Sequence, residues 1–284
     1  MTELERKRQR PVRYRVERLL DTLLLDGSVA AWSYRRGLHG RLGVTRHDIK
    51  LEPARALPRP LVVAFASDLH AGPTTHPGIF DELARAIESA NPDVVLLGGD
   101  YVSLAVHHVE RLGALLHSAV AAAPLGAYAV IGNHDIWQGR ATVEATLRAA
   151  GVQVLVNANR RLPAPFDNVS ICGIDDPWTG QPSPAGTFDG ASDVRIYLMH
   201  SPDGMWHLRD ERFDLGLAGH THSGQIAFAN GTPVVPPKGP MSRRHCRGRF
   251  DFANGPVIVS RGVGCSALPL RINSDPELVV CTLS

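Results

Sequence analysis

Cysteine is scarce in this chain: four residues of 284, at positions 172, 246, 265 and 281, with no C-x-x-C pair among them. That speaks against a cysteine-built zinc site or a disulfide framework, and reduced thiols in a reducing, cytoplasmic compartment are expected. The first residues show no apolar core followed by a small-residue cleavage site, so no secretory signal is read there. Long apolar runs are missing too: none reaches the roughly 18 residues that a membrane-spanning helix needs. The best candidate, residues 112–131, is interrupted by Pro124 and Gly126. Nor is charge of one sign in excess. Thirty Lys and Arg stand against 28 Asp and Glu, a net +2, and no bulk attraction to nucleic acid follows. Absent as well are the G-x-S-x-G elbow, the G-x-x-x-x-G-K-[ST] phosphate loop and the H-E-x-x-H helix of metallopeptidases.

What is present begins with an uneven N-terminus. Arg6, Lys7, Arg8, Arg10, Arg13, Arg15 and Arg18 crowd around the start of an amphipathic helix predicted over residues 14–36. Val16, Leu19, Leu20, Leu23 and Leu24 recur there at helical spacing. The basic flanks, with Trp32 and Tyr34 near the helix end, suit peripheral contact with an anionic membrane on its inner face. Packing of the stripe on the protein's own body is the plainer reading. Residues 1–42 are read as an extension and residues 43–284 as the main domain.

From about residue 43 onward, apolar runs alternate with helical stretches. Residues 61–66, 94–97, 127–131, 194–199 and 215–218 read as buried parallel strands, with shorter strands at 152–156 and 169–173. Helices are predicted over 77–90, 107–122 and 141–150. Such alternation makes an α/β sheet covered on its faces.

Each of the five buried strands runs into residues that bind metals. The clusters are Ser67-Asp68-Leu69-His70, Gly98-Gly99-Asp100, Gly132-Asn133-His134-Asp135, His200 and Gly219-His220-Thr221-His222. Ligands of open α/β sheets bind beyond the carboxyl ends of the strands, so these clusters can meet in one place. A lone histidine such as His39, His117 or His207 is better read as a surface or core residue, but five of the 13 histidines fall in these clusters. Imidazole, carboxylate and amide together suit Mn, Fe or Zn. Two divalent cations carry four positive charges and Asp68 with Asp100 two negative ones, leaving +2. That is a site for an anion such as a phosphate ester, whereas a single cation would be neutralised. A dinuclear, phosphate-directed centre is therefore expected.

In this order, the five motifs resemble the calcineurin-like metallophosphoesterase family over about residues 61–225. The resemblance implies an α/β fold, a four-layer sandwich of two mixed β-sheets flanked by helices. It implies that Asp68, His70 and His222 hold one metal, that Asn133, His200 and His220 hold a second, and that Asp100 bridges both. His134 is then the group that contacts the phosphate and assists the leaving oxygen, with Asp135 orienting it. The blocks Asn133-His134-Asp135-Ile136-Trp137, His200-Ser201-Pro202-Asp203, Ser260-Arg261-Gly262, Leu268-Pro269-Leu270-Arg271 and Pro276-Glu277 narrow the likeness to the bacterial phosphodiesterase subfamily. Members are often membrane-anchored, and some cleave the pyrophosphate of UDP-2,3-diacylglucosamine in lipid A synthesis. The chain departs from them in having no N-terminal transmembrane segment, and in Ser223, which stands where glycine is frequent.

The expected reaction is in-line attack of a metal-bound hydroxide on phosphorus, with no Ser, Cys or aspartyl nucleophile. The expected partner is a phosphorylated small molecule or a lipid-linked nucleotide; no specific nucleic acid and no obligate protein partner are implied. A basic stretch, Lys238, Arg243, Arg244, His245, Arg247 and Arg249, offers phosphate contacts, with Arg243 and Arg244 the candidates for substrate binding. The same stretch also reads as an ordinary solvated loop. Two alternatives stand beside the diesterase: a phosphomonoesterase, and a non-catalytic metal- or phosphate-binding module. The latter should have lost a ligand or His134, and none is missing.

Overall fold

A computed structural model describes residues 19, 20 and 22–284. Its logic shows in the strand Leu61–Ala66, whose residues alternate between two apolar layers. Leu61, Val63 and Phe65 pack against a second sheet, while Ala64 and Ala66 pack against helices. The first sheet has the order β1 (Gly43–Ile49), β12 (Glu277–Leu283), β2 (Leu61–Ala66), β3 (Val94–Leu97), β4 (Ala127–Ala129), β5 (Gln153–Val154). Only β12 and β2 pair antiparallel in it. The second has the order β10 (Gly248–Phe252), β11 (Gly255–Val259), β9 (Leu215–Ala218), β8 (Val194–Leu198), β7 (Val169–Gly173), β6 (Ala158–Arg161). Its two outer pairs are antiparallel and its inner pairs parallel.

Helices α2 (Gly78–Ala90), α3 (Gly113–Ala121) and α4 (Asn133–Ala149) cover the outer face of the first sheet. Beyond the second sheet lie the short helix α5 (Pro184–Phe188) and a 3-10 turn at Pro202–His207, over Tyr197, Met199 and Phe213. This is the expected four-layer sandwich of two mixed sheets flanked by helices. Strands buried on both faces read as uninterrupted apolar runs, and each fully buried Leu, Val or Phe contributes roughly 1.5–3 kcal/mol.

Several boundaries differ from expectation. The strand expected over 127–131 stops at Ala129, where the chain turns toward α4. The stretch 107–122 is a 3-10 segment, Val106–Leu112, followed by α3. The helix expected at 141–150 begins at Asn133, with its backbone broken at Gly139 (φ 152°). The N-terminal helix is also divided. Leu25, Asp26 and Gly27 adopt φ of 51°, 49° and 92°, which separates helix α1 (Ser28–Arg35) from the residues before it. Val16 and the basic residues up to Arg18 lie outside the described residues. Within them Leu24 is buried, whereas Leu19 and Leu23 are exposed, so only part of the apolar stripe packs on the body. Helix α1 rests on the body through Ser33, which donates to the Pro269 carbonyl, and Tyr34, which donates to Glu82. Among the described residues no helix is long and apolar enough to cross a membrane, and the four cysteines are free.

Candidate metal centre

The loops after β2, β3, β4, β8 and β9 open on one side of the two sheets and bring seven polar side chains together. Asp68, His70 and His222 offer ligand atoms within 4.8 Å of one another, and so do Asp100, His200 and His220. Asp100 joins the two groups: its Oδ2 lies 3.5 Å from His70 Nε2 and 3.4 Å from His200 Nε2. Asn133 Oδ1 stands 3.1 Å from His200 Nε2, and His220 Nδ1 3.2 Å from the same atom. His222 Nε2 is 2.9 Å from His70 Nε2 and 3.5 Å from Asp68 Oδ1. The structure therefore brings together every residue that the motifs pointed to as a candidate ligand.

Backbone conformation marks the place as built. Asp68, His70, Asp100, His220 and His222 all have φ between 44° and 70°, a region costly for residues with a Cβ. Such strain persists only where the surroundings over-determine it, and it gathers at functional sites. Close approach of the loops demands glycine at two positions. A Cβ on Gly219 would lie 2.0 Å from Ser67 Oγ and 2.3 Å from Asp68 Oδ2; one on Gly132 would lie 2.3 Å from Asp100 Oδ1.

The electrostatics fit cations. Asp68, His70 and His200 are fully buried, and Asp100 and Asn133 almost so. Burial pushes His70 and His220 down to about 3, so their nitrogens keep lone pairs. Burial raises Asp68 to about 6. It also opposes the charge on Asp100, but His200 and then His134 hold that carboxyl well below its usual range. His200 is raised well above its ordinary value: burial disfavours its charge, and Asp100 overrides that. Two imidazole nitrogens 2.9 Å apart, with two carboxylates around them and water largely excluded, form a donor set that divalent cations satisfy. The residues fit the two metal ions that the motifs imply.

His134 lies beside the ligands. Its backbone N–H donates to Asp100 Oδ1 (2.8 Å), and its Nδ1 is 3.3 Å from the Ser103 carbonyl. Asp135 was expected to orient His134, and here the structure corrects the expectation. Its carboxylate accepts from the backbone N–H groups of Asp100, Tyr101, Val102 and Gly132 at 2.8–3.3 Å, and so locks the Asp100 loop onto the start of α4. At the first turn of a helix a carboxylate finds amides before it finds a neighbouring side chain.

A cleft of about 660 Å³ opens above the ligands, lined at its base by Asp100, Asn133, His134, His220 and His222. Its walls carry Trp137, Ile226, Val234, Val235, Pro236, Pro237 and Leu268, with Lys238 as a cation. Arg243 and Arg244 lie on the short helix α6 (Pro240–Arg244), exposed and outside the residues that line the cleft. The apolar wall was not legible in the sequence, because 226–237 carries no periodic pattern.

Comparisons with known proteins show the family. The model of the calcineurin-like phosphoesterase family matches residues 61–224. The chain is 33% identical over 230 residues to phosphodiesterase YaeI of Escherichia coli, covering 79% of this chain and 82% of that one. It is 32% identical to the metallophosphoesterase YkuE of Bacillus subtilis, covering 69% and 70%. It is 27% identical to the UDP-2,3-diacylglucosamine pyrophosphatase LpxG of Chlamydia trachomatis, covering 90% and 94%.

Proposed function

We propose that this chain, which belongs to the calcineurin-like phosphoesterase family, hydrolyses a phosphodiester or pyrophosphate that carries an apolar group, such as a lipid-linked nucleotide of the UDP-2,3-diacylglucosamine kind. Membership makes it a metal-dependent hydrolase of phosphoric ester bonds. The observation that carries the finer reading is the contrast within the cleft. Its base is polar and ligand-rich, while Val234, Val235 and Leu268 on its walls are 48%, 70% and 50% exposed. Large apolar side chains left bare at a cleft mouth mark a surface that a ligand or partner covers. A small hydrophilic monoester leaves them bare; an acylated substrate covers them.

Asp68, His70 and His222 would hold one divalent cation and Asn133, His200 and His220 the other, with Asp100 shared. When bound, Mn, Fe or Zn ions supply Lewis-acid charge and a water nucleophile deprotonated near neutral pH. His134 has Nδ1 turned to the Ser103 carbonyl, which leaves Nε2 to protonate the leaving oxygen. Lys238 adds a positive charge for the phosphate. Helix α1 is tied to the segment that carries the cleft residue Leu268, because Ser33 donates to the neighbouring Pro269 carbonyl. Its exposed Trp32, with Leu38 beyond it, gives this side a surface suited to peripheral contact with a membrane that holds such a substrate.

The test is turnover by the stripped, Mn-reloaded protein. Bis-p-nitrophenyl phosphate should be cleaved in preference to p-nitrophenyl phosphate, and Asp100→Asn should abolish both activities. A UDP-diacylated sugar should then exceed its deacylated form in kcat/KM by about tenfold or more, given roughly 0.8 kcal/mol per buried methylene. Equal use of the two sugars would overturn the lipid reading. Preference for the monoester would overturn the diester one.

A further inference from the structure

In the tail block Leu268-Pro269-Leu270-Arg271 the last residue has so far no role, yet Arg271 is almost wholly buried. A guanidinium has five N–H donors, and here all five are used. Nε donates to the Gly264 carbonyl (3.0 Å); Nη1 to those of Arg261 (3.0 Å) and Ser274 (2.9 Å); Nη2 to Gly264 again and to His222 Nδ1 (3.1 Å). Arg271 thus knots the tail between residues 261 and 274 into one shape and touches a metal ligand. Ser274 reaches the same residue at its backbone, with Oγ donating to the His222 carbonyl at 2.6 Å.

The turn so gripped is unusual. His222, Ser223, Gly224 and Gln225 have φ of 50°, 51°, 76° and 58°, four consecutive left-handed residues of which three have a Cβ. Chirality disfavours such a run, so something outside the turn has to hold it. The tail does so at several points. Gln225 donates from Nε2 to the carbonyls of Leu268 (2.7 Å) and Leu270 (3.0 Å) and accepts from the Ser266 N–H (2.8 Å). The tail also grips the other end of the same half-site: the Gly264 N–H donates to the Asp68 carbonyl at 2.7 Å. On the other half-site no such tail contact is needed, since His200 Nδ1 is held by the Gly98 carbonyl at 2.8 Å. The Nη2 contact is secondary to the knot. A ring that gives Nε2 to a cation turns a donor toward Nη2, and the guanidinium is still anchored by the three carbonyls.

We infer that Arg271 and Ser274 are positioning residues that brace the left-handed His222 turn, and that this brace governs occupancy of the Asp68–His70–His222 cation selectively. The inference rests on the metal-site reading above, and the experiment separates the two. Mn binding to the full chain would be followed by calorimetry and by the paramagnetic resonance signal of coupled Mn pairs, alongside thermal unfolding of the stripped protein. The wild type should bind two Mn; fewer than two would sink the metal-site reading itself. In Arg271→Lys a point charge replaces the fork, and in Ser274→Ala the carbonyl grip is gone. Each should lose affinity for one Mn by about tenfold or more, keep the other unchanged and lose the pair signal, with turnover recovering at high Mn. Wild-type affinity for both ions in both variants would overturn the inference, and so would equal weakening of both ions. If Arg271→Lys does not fold, Ser274→Ala decides, because it removes one hydroxyl and leaves the knot.

Discussion

The two halves of the candidate metal centre are held in different ways. In the Asp100–Asn133–His200–His220 half, the outer ring nitrogen of His200 meets an acceptor, the Gly98 carbonyl at 2.8 Å. That is the ordinary support of a metal-binding imidazole, which fixes its tautomer and orientation. In the Asp68–His70–His222 half, neither ring has it. His70 Nδ1 is buried with no hydrogen-bond partner among the described residues, and His222 Nδ1 faces the Arg271 guanidinium. One half is thus set by the sheet and its adjoining loops, the other by a tail some 50 residues further on in the chain. The difference teaches that a symmetric-looking ligand list hides unequal sites.

The sharpest way to break this comparison is to delete one ligand from each half. His222→Ala and His200→Ala should each retain one Mn and lose diester turnover by roughly 10³-fold, about 4 kcal/mol of transition-state stabilisation. Mn stoichiometry beside kinetics checks it. A variant that binds two ions at full affinity, or one that turns over normally, would remove its residue from the site. Next in size is the order of filling. At pH 8.5 the wild type should take up its two Mn in separate steps, the supported half tighter by about 10–100-fold. His222→Ala should erase only the weak step. Two equal steps would mean that support of the outer nitrogens makes no difference here.

What was legible in the sequence follows the same division. Strands β2, β3 and β9 lie where the apolar runs place them, because burial on both faces leaves no polar residue in the run, and β7 does so with a single buried Ser170. The ligands were legible because each sits within three residues of such a run or in a motif with a fixed spacing. Edge strand β1 was not, since its partly covered positions Gly43, Thr45 and His47 are not strongly apolar, and exposed Val44, Arg46 and Asp48 alternate with them. The start of α4 was hidden by Gly139, which reads as a break and is one in the backbone, though the helix continues across it. The role of Asp135 and the brace at Arg271 stayed out of reach for a different reason. Both depend on which backbone groups are brought close by the fold, and no local periodicity encodes that.

The smallest expected effect is in the pH dependence of the two ions: protons weaken both halves, but over different pH ranges. Asp68 has a pKa raised to about 6 by burial, and a cation needs its carboxylate form. The first half should therefore lose up to about tenfold in affinity per pH unit below 6 and be flat above 7, because only there is Asp68 fully ionised. In the second half Asp100 is held well below the usual carboxylate range and offers no competition from protons. His200 does: its pKa is raised well above the ordinary value, and it must give up a proton before it can bind a cation. Affinity there should climb by up to about tenfold per unit through pH 7 and beyond, so the advantage of the second half narrows as pH falls from 8.5 toward 7. Mn titrations of the wild type at pH 5.5, 7 and 8.5, with His222→Ala identifying which step belongs to which half, would resolve the two curves. If both steps changed in parallel across that range, the two halves would share one proton-linked event, and the Asp100–His200 pair would have to be treated as coupled to Asp68 rather than as a separate unit.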